Sequence, residues 1–244
     1  MIGGFIISGN APKNVVVRGI GPSLTSSGVA GALADPTIEL RASNGSLIAQ
    51  NDNWQDDSAQ AAQLSALGLG LNNPKESGLF ATLQPGSGYT AILAGKNNTA
   101  GVGLVEIYDT NGTADSQLAN MSTRGFVRTA DNVMIGGFIL GSSNGTARIV
   151  VRGIGPSLSH FGLNPVLADP TLELHDSNGT PIISNDNWTD DPTSAALLTA
   201  SGFALSDPKE SGIFTTLVPG QYTAILAGKN GGIGIGLVEI YNLR

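Results

Sequence analysis

Asp35-Pro-Thr-Ile-Glu-Leu-Arg-Ala-Ser-Asn-Gly-Ser-Leu-Ile-Ala-Gln-Asn-Asp-Asn-Trp-Gln-Asp-Asp57 occurs a second time in the chain. The second copy runs Asp169-Pro-Thr-Leu-Glu-Leu-His-Asp-Ser-Asn-Gly-Thr-Pro-Ile-Ile-Ser-Asn-Asp-Asn-Trp-Thr-Asp-Asp191. In Thr37-Ile-Glu-Leu-Arg41 apolar and polar residues alternate, the pattern of a half-buried strand with Ile38 and Leu40 inward. Asn44-Gly45 and Asn178-Gly179 supply the positive φ of a tight hairpin turn. A second strand follows, and then an acidic loop holding one of the chain's two tryptophans.

The likeness extends far beyond this stretch. Residues 15–86 align with 149–220 at constant offset and without a gap, more than half of them identical. Tyr89–Asn97 then matches Tyr222–Asn230, and Gly103–Tyr108 matches Gly236–Tyr241. A chain of 244 residues with this duplication divides into two domains, expected at 1–109 and 119–244 with a linker at 110–118. Each is large enough to bury a core without disulfides.

Strand candidates in the first half are Ile2–Ser8, Asn14–Gly19, Thr37–Ala42, Leu47–Gln50, Gly78–Leu83, Tyr89–Gly95 and Val102–Tyr108, and all recur in the second half. One helix per half is expected, at Ser58–Leu67 and Pro192–Ala200. Pro192 behind Asp191 is a start signal, because proline's missing N–H would go unpaired there anyway. The expected fold is all-β: two tandem antiparallel, jelly-roll-like β-sandwiches, each with one short helix. A closed barrel is the alternative. One further strand tract, within 119–130, precedes the second domain alone. One domain is therefore expected to present an unpaired edge, a site for pairing with another chain, with the Met1 strand the candidate for that pairing.

Composition narrows the function. The net charge of −7 and the absence of a basic patch exclude a nucleic-acid binder. The longest apolar runs are strand length, short of a membrane span. With no cysteine, thiolate metal sites are excluded. Met1-Ile-Gly-Gly-Phe-Ile matches the interior Met134-Ile-Gly-Gly-Phe-Ile, so a trimmed chain whose leader is not shown is expected.

The series Arg-Gly-Ile-Gly-Pro-Ser-Leu (18–24, 152–158), Ala-Asp-Pro-Thr, Asn-Asp-Asn-Trp and Pro-Lys-Glu-Ser-Gly (74–78, 208–212) resembles tandem modules of large secreted and surface proteins of environmental bacteria. Strand, Ser-Asn-Gly, strand, Asn-Asp-Asn and then Pro-Gly-x-Tyr-Thr-Ala is similar to the bacterial pre-peptidase C-terminal domain. That resemblance implies a secreted jelly-roll sandwich appended to exported enzymes, some members of which bind calcium or matrix polymers. The helix and the Arg-Gly-Ile-Gly-Pro segment depart from it.

A site built into the module should appear in both copies. The histidines do not: His160 aligns with Ser26 and His175 with Arg41, which argues against a triad or a histidine metal site. Arg-Gly-Ile-Gly-Pro reads as a turn rather than a phosphate loop, since proline follows its second glycine. The repeated acids Asp52, Asp56, Asp57, Asp186, Asp190 and Asp191 offer oxygens to calcium. Asp57 and Asp191 equally suit helix capping. Trp54 and Trp188 have two readings, a sugar-stacking face or a plug at the end of each sandwich. Arg18 is expected to pair with Asp35. Sequons stand at Asn44, Asn97, Asn111, Asn120, Asn144, Asn178 and Asn187, four of them Asn-Gly turns.

With no nucleophile–base pair in both copies, the expected function is a non-enzymatic extracellular or cell-surface module, structural or adhesive, self-associating through β edges or with neighbouring repeats into a polymer or filament. The alternative is an accessory module that binds carbohydrate or matrix, stabilised by calcium. No other cofactor is expected.

Overall fold

A computed structural model describes residues 1–141 and 145–243. It divides into two compact units, Met1–Ala119 and Asn120–Arg244.

The first unit holds β1 (Ile2–Gly9), β2 (Lys13–Ile20), β3 (Pro36–Ala42), β4 (Leu47–Asn51), α1 (Ser58–Ala66), β5 (Ser77–Leu83), β6 (Ser87–Gly95) and β7 (Leu104–Asp109). Its strands form two antiparallel layers, in the orders β1-β6-β3-β4 and β5-β2-β7. The core between them contains Phe5, Ile7, Val15, Val17, Ile38, Leu40, Leu79 and Tyr89. Ile38 and Leu40 do point inward, as their alternation requires.

β2 breaks that alternation: Val15, Val16 and Val17 are all fully buried. The reason is a third layer. Val16 faces away from the sandwich and packs with Ile20, Trp54, Leu64 and Leu71, beneath α1. A strand covered on both faces reads as a continuous apolar run.

β8 (Ser116–Val127) straddles the boundary between the units. Its opening residues belong to the first unit, where β8 neighbours β1 and Leu118 packs on the core. The second unit continues with β9 (Met134–Leu140), β10 (Ala147–Ile154), β11 (Pro170–His175), β12 (Pro181–Asn185), α2 (Pro192–Ala200), β13 (Ser211–Leu217), β14 (Gly220–Gly228) and β15 (Gly234–Asn242). Its layers are β12-β11-β14-β9 and β13-β10-β15-β8. The sandwich core again draws on both, with Ile149, Val151, Leu172, Leu174, Ile213 and Leu226. The fold is an all-β sandwich made twice.

The hairpin turns follow from their glycines, since Gly45 and Gly179 sit at φ of 82° and 76°. Both helices are capped by the aspartate before them. Asp57 accepts from the amides of Ala59 and Gln60, and Asp191 from that of Thr193. Short 3-10 turns at Pro22–Ser27 and Pro156–Phe161 were not expected from the sequence.

Candidate functional site

The duplicated charged residues converge on the starts of β5 and β13. Glu76 is 1% exposed, and its carboxylate accepts from the amides of Gly21 and Ser23 and from the Ser23 hydroxyl. Glu210 repeats this with Gly155 and Ser157. The Arg-Gly-Ile-Gly-Pro turn therefore does offer backbone N–H groups to an anion, but the protein's own carboxylate occupies them. Its second glycine has a packing cause too: a Cβ on Gly21 or Gly155 would overlap the carbonyl of Leu33 or Leu167. Ser77 and Ser211, the next residues, donate their hydroxyls to the carbonyls of Pro36 and Pro170.

Arg18 does not pair with Asp35. It reaches Glu106, with Nε at 2.8 Å and Nη2 at 2.5 Å, because β2 and β7 place the two residues directly opposite each other. Arg152 pairs with Glu239 in the same register. Arg18 also lies 5.0 Å from the ring centre of Tyr108. In the second unit, burial first and then the Glu239 charge push the Tyr241 hydroxyl up to about 12.

In the acidic loops each carboxylate has a separate partner. Asp52 binds Lys96 at 2.5 Å, Asp56 accepts from Asn53, and Asp57 caps α1. Asp186 binds Lys229, Asp190 accepts from Asn187, and Asp191 caps α2. Hydrogen bonding to these aspartates raises the pKa of both lysines. No group of three or more His, Asp or Glu side chains suited to a metal ion occurs among the described residues.

Trp54 is 8% exposed and lies in the layer under α1, not at the end of the sandwich. Trp188 packs in the matching layer of the second unit. Of the sequon asparagines, Asn44, Asn97 and Asn178 are exposed, and Asn111 accepts from the Asn14 amide. Asn187 is half-buried on Asp190. Asn120 is 6% exposed, with its amide donating to the Ile240 carbonyl, which leaves a glycan no room in the folded chain. Asn144 lies outside the described residues.

The histidines behave differently from each other. His175 holds the Gly179 carbonyl through Nδ1 and Glu173 through Nε2, the same two contacts that Arg41 makes with Gly45 and Glu39. His160 lines a cavity of about 420 Å³ with Arg152, Ser157, Phe161, Leu205 and Glu239. The sequence reading missed this cavity because neither His160 nor Phe161 recurs at Ser26 and Ser27.

Among the described residues, a buried Oδ1 of Asp35, Asp52, Asp169 and Asp186 and the indole N–H of Trp54 and Trp188 have no hydrogen-bond partner, and one stretch of backbone is unengaged as well. Among the described residues, β7 pairs with β2 alone, whereas its twin β15 pairs with both β10 and β8. The unpaired edge is thus β7 of the first unit and not the Met1 strand, because β1 lies between β6 and β8.

Comparison with solved structures finds only distant likenesses. The chain is similar to the pre-peptidase C-terminal domain of a collagenase from Bacillus anthracis, at 12% identity and a TM-score of 0.32, over 50% of this chain and 89% of that domain. It is also similar to the capsid of the PBCV-1 virus, at 7% identity and a TM-score of 0.24, over 99% and 93% of the two chains. For VP2 of infectious bursal disease virus the values are 7% and 0.22, over 98% and 68%. No family model and no curated protein matches the sequence. The likeness goes no further than the β-sandwich already described. No helix among the described residues is long and apolar enough to cross a membrane.

Proposed function

We propose that the chain is a non-enzymatic structural or adhesive module of an extracellular or cell-surface protein, associating with like units through β edges. The observation that carries this reading is the β7 edge, open in the first unit and filled in the second. Exposed edges are templates for another strand. Supporting it, Arg18, Asp52, Asp57, Glu76 and their counterparts Arg152, Asp186, Asp191 and Glu210 are tied into ion pairs, caps and turns, the arrangement of a scaffold. Size-exclusion chromatography at rising concentration, with negative-stain microscopy of the fractions, tests the reading. Species that grow with concentration are expected; a particle that stays monomeric throughout overturns it.

A further inference from the structure

β7 and β15 share the sequence Gly-Leu-Val-Glu-Ile-Tyr at 103–108 and 236–241, so their different surroundings are a difference of neighbours. On β15, Val238 and Ile240 are 1% and 5% exposed; on β7, Val105 and Ile107 are only half-buried. The backbone gives the direction of the missing neighbour. The Thr110 amide donates to the Asn14 carbonyl, so alternation turns Tyr108 and Glu106 toward β2. The amides and carbonyls of Val105 and Ile107 then face outward. Leu243 donates to Arg148 in the same way, and the matching residues Val238 and Ile240 stand opposite Thr123 and Met121 of β8.

We propose that the β7 edge accepts a strand with the Asn-Met-Ser-Thr-Arg-Gly-Phe-Val pattern of Asn120–Val127, supplied by another copy of the repeat. It adds antiparallel, in the register β8 takes on β15: threonine opposite Val105, methionine opposite Ile107, glycine opposite Gly103. The glycine itself is set by packing in both units: a Cβ on Gly236 would come within 3.0 Å of Leu226 and of a Val127 methyl, and one on Gly103 within 2.6 Å of Leu93. The end strands β4, β5, β12 and β13 recur alike in both units, so no comparison marks them as lacking a partner. This inference rests on the self-association reading for the source of the strand, while the acceptor edge rests on the pairing of β15 alone.

The test uses the whole chain and a synthetic peptide of Asn120–Arg128, with hydrogen exchange read residue by residue. One peptide per chain is expected to slow exchange at Val105 and Ile107 by at least about tenfold, leaving Glu106 and Tyr108, already bonded to β2, unchanged. A peptide carrying Met121→Pro and Thr123→Pro lacks the donors that meet the edge and is expected to do nothing. No slowing with the native peptide, or equal slowing with the proline peptide, overturns the proposal. Peptide protection in a chain that stays monomeric keeps the acceptor edge and removes the polymer. Assemblies that grow while β7 stays unprotected do the reverse.

Discussion

The first and second units share a fold, and one of the places where they differ is the end of a single strand pair. In the first unit Lys13 is fully buried at the start of β2, bound to Asp109 at 2.9 Å and donating to the Asn111 carbonyl. In the second unit the same places hold Ala147 and Asn242, with no charge at all. The contrast lies at the end of β7, a strand paired on one side in the first unit and, as β15, on both sides in the second. Where β15 is flanked on both sides, its end is neutral. Where β7 stands at an edge, a buried ammonium ties β2 to β7 and to the segment that follows. A buried charge is tolerated only with its partner in place, so this tie fixes where β7 ends.

The contrast breaks most sharply at Asp109. Asp109→Asn installs the residue of the second unit but leaves Lys13 buried without a counterion, an expected loss of about 3–4 kcal/mol in urea unfolding. Adding Lys13→Ala completes the second unit's pair and is expected to bring stability back to within about 1 kcal/mol of the native chain. A single variant as stable as the native chain would show that Lys13 is not held by Asp109.

Where the units agree, matched variants should agree too. Glu76→Ala and Glu210→Ala each strand two backbone amides and a hydroxyl, and each is expected to cost about 2–3 kcal/mol. Unequal losses in equilibrium unfolding would mean the two carboxylates do different work, contrary to their shared partners.

The comparison of copies also explains what could be read in advance. Ile38 and Leu40 announced their strand by alternation, and Asn44-Gly45 its turn, because both are local rules. Asp191-Pro192 announced α2 for the same reason. The partner of Arg18 was beyond such rules: Glu106 lies 88 positions away, and only the pairing of β2 with β7 brings it opposite. The third layer was hidden as well. Val15-Val-Val17 says that a strand is buried on both faces, without saying that α1 and Trp54 do the covering. Filtering for residues present in both copies separated the repeated acids from the lone histidines, yet the same filter discards Lys13, whose importance lies in not being repeated. Counting strands per copy was enough to expect one open edge from the single β8 tract, but it pointed to the Met1 strand, and only the sheet order shows that β1 is flanked on both sides and β7 is not.

The smallest expected difference concerns pH. Arg41 and His175 clamp equivalent hairpins through the same two contacts, but only the arginine is a permanent cation. The Gly179 carbonyl, and after it the Glu173 carboxylate, raise the His175 pKa above its ordinary value against the opposing effect of desolvation. Asp176 beside it is held below the usual carboxylate range by the amides of Thr180 and Asn178, so it stays charged while His175 titrates. A pKa raised by folding means that the clamp's contribution is complete below the unfolded-state value of about 6.5 and is lost as pH rises through the folded-state value. Thermal unfolding of the native chain is therefore expected to show a small fall in midpoint across that window that His175→Arg removes, with an NMR titration placing the His175 pKa above the ordinary value. A midpoint change identical in the two proteins would assign the pH response to other groups and leave the histidine as a neutral stand-in for arginine.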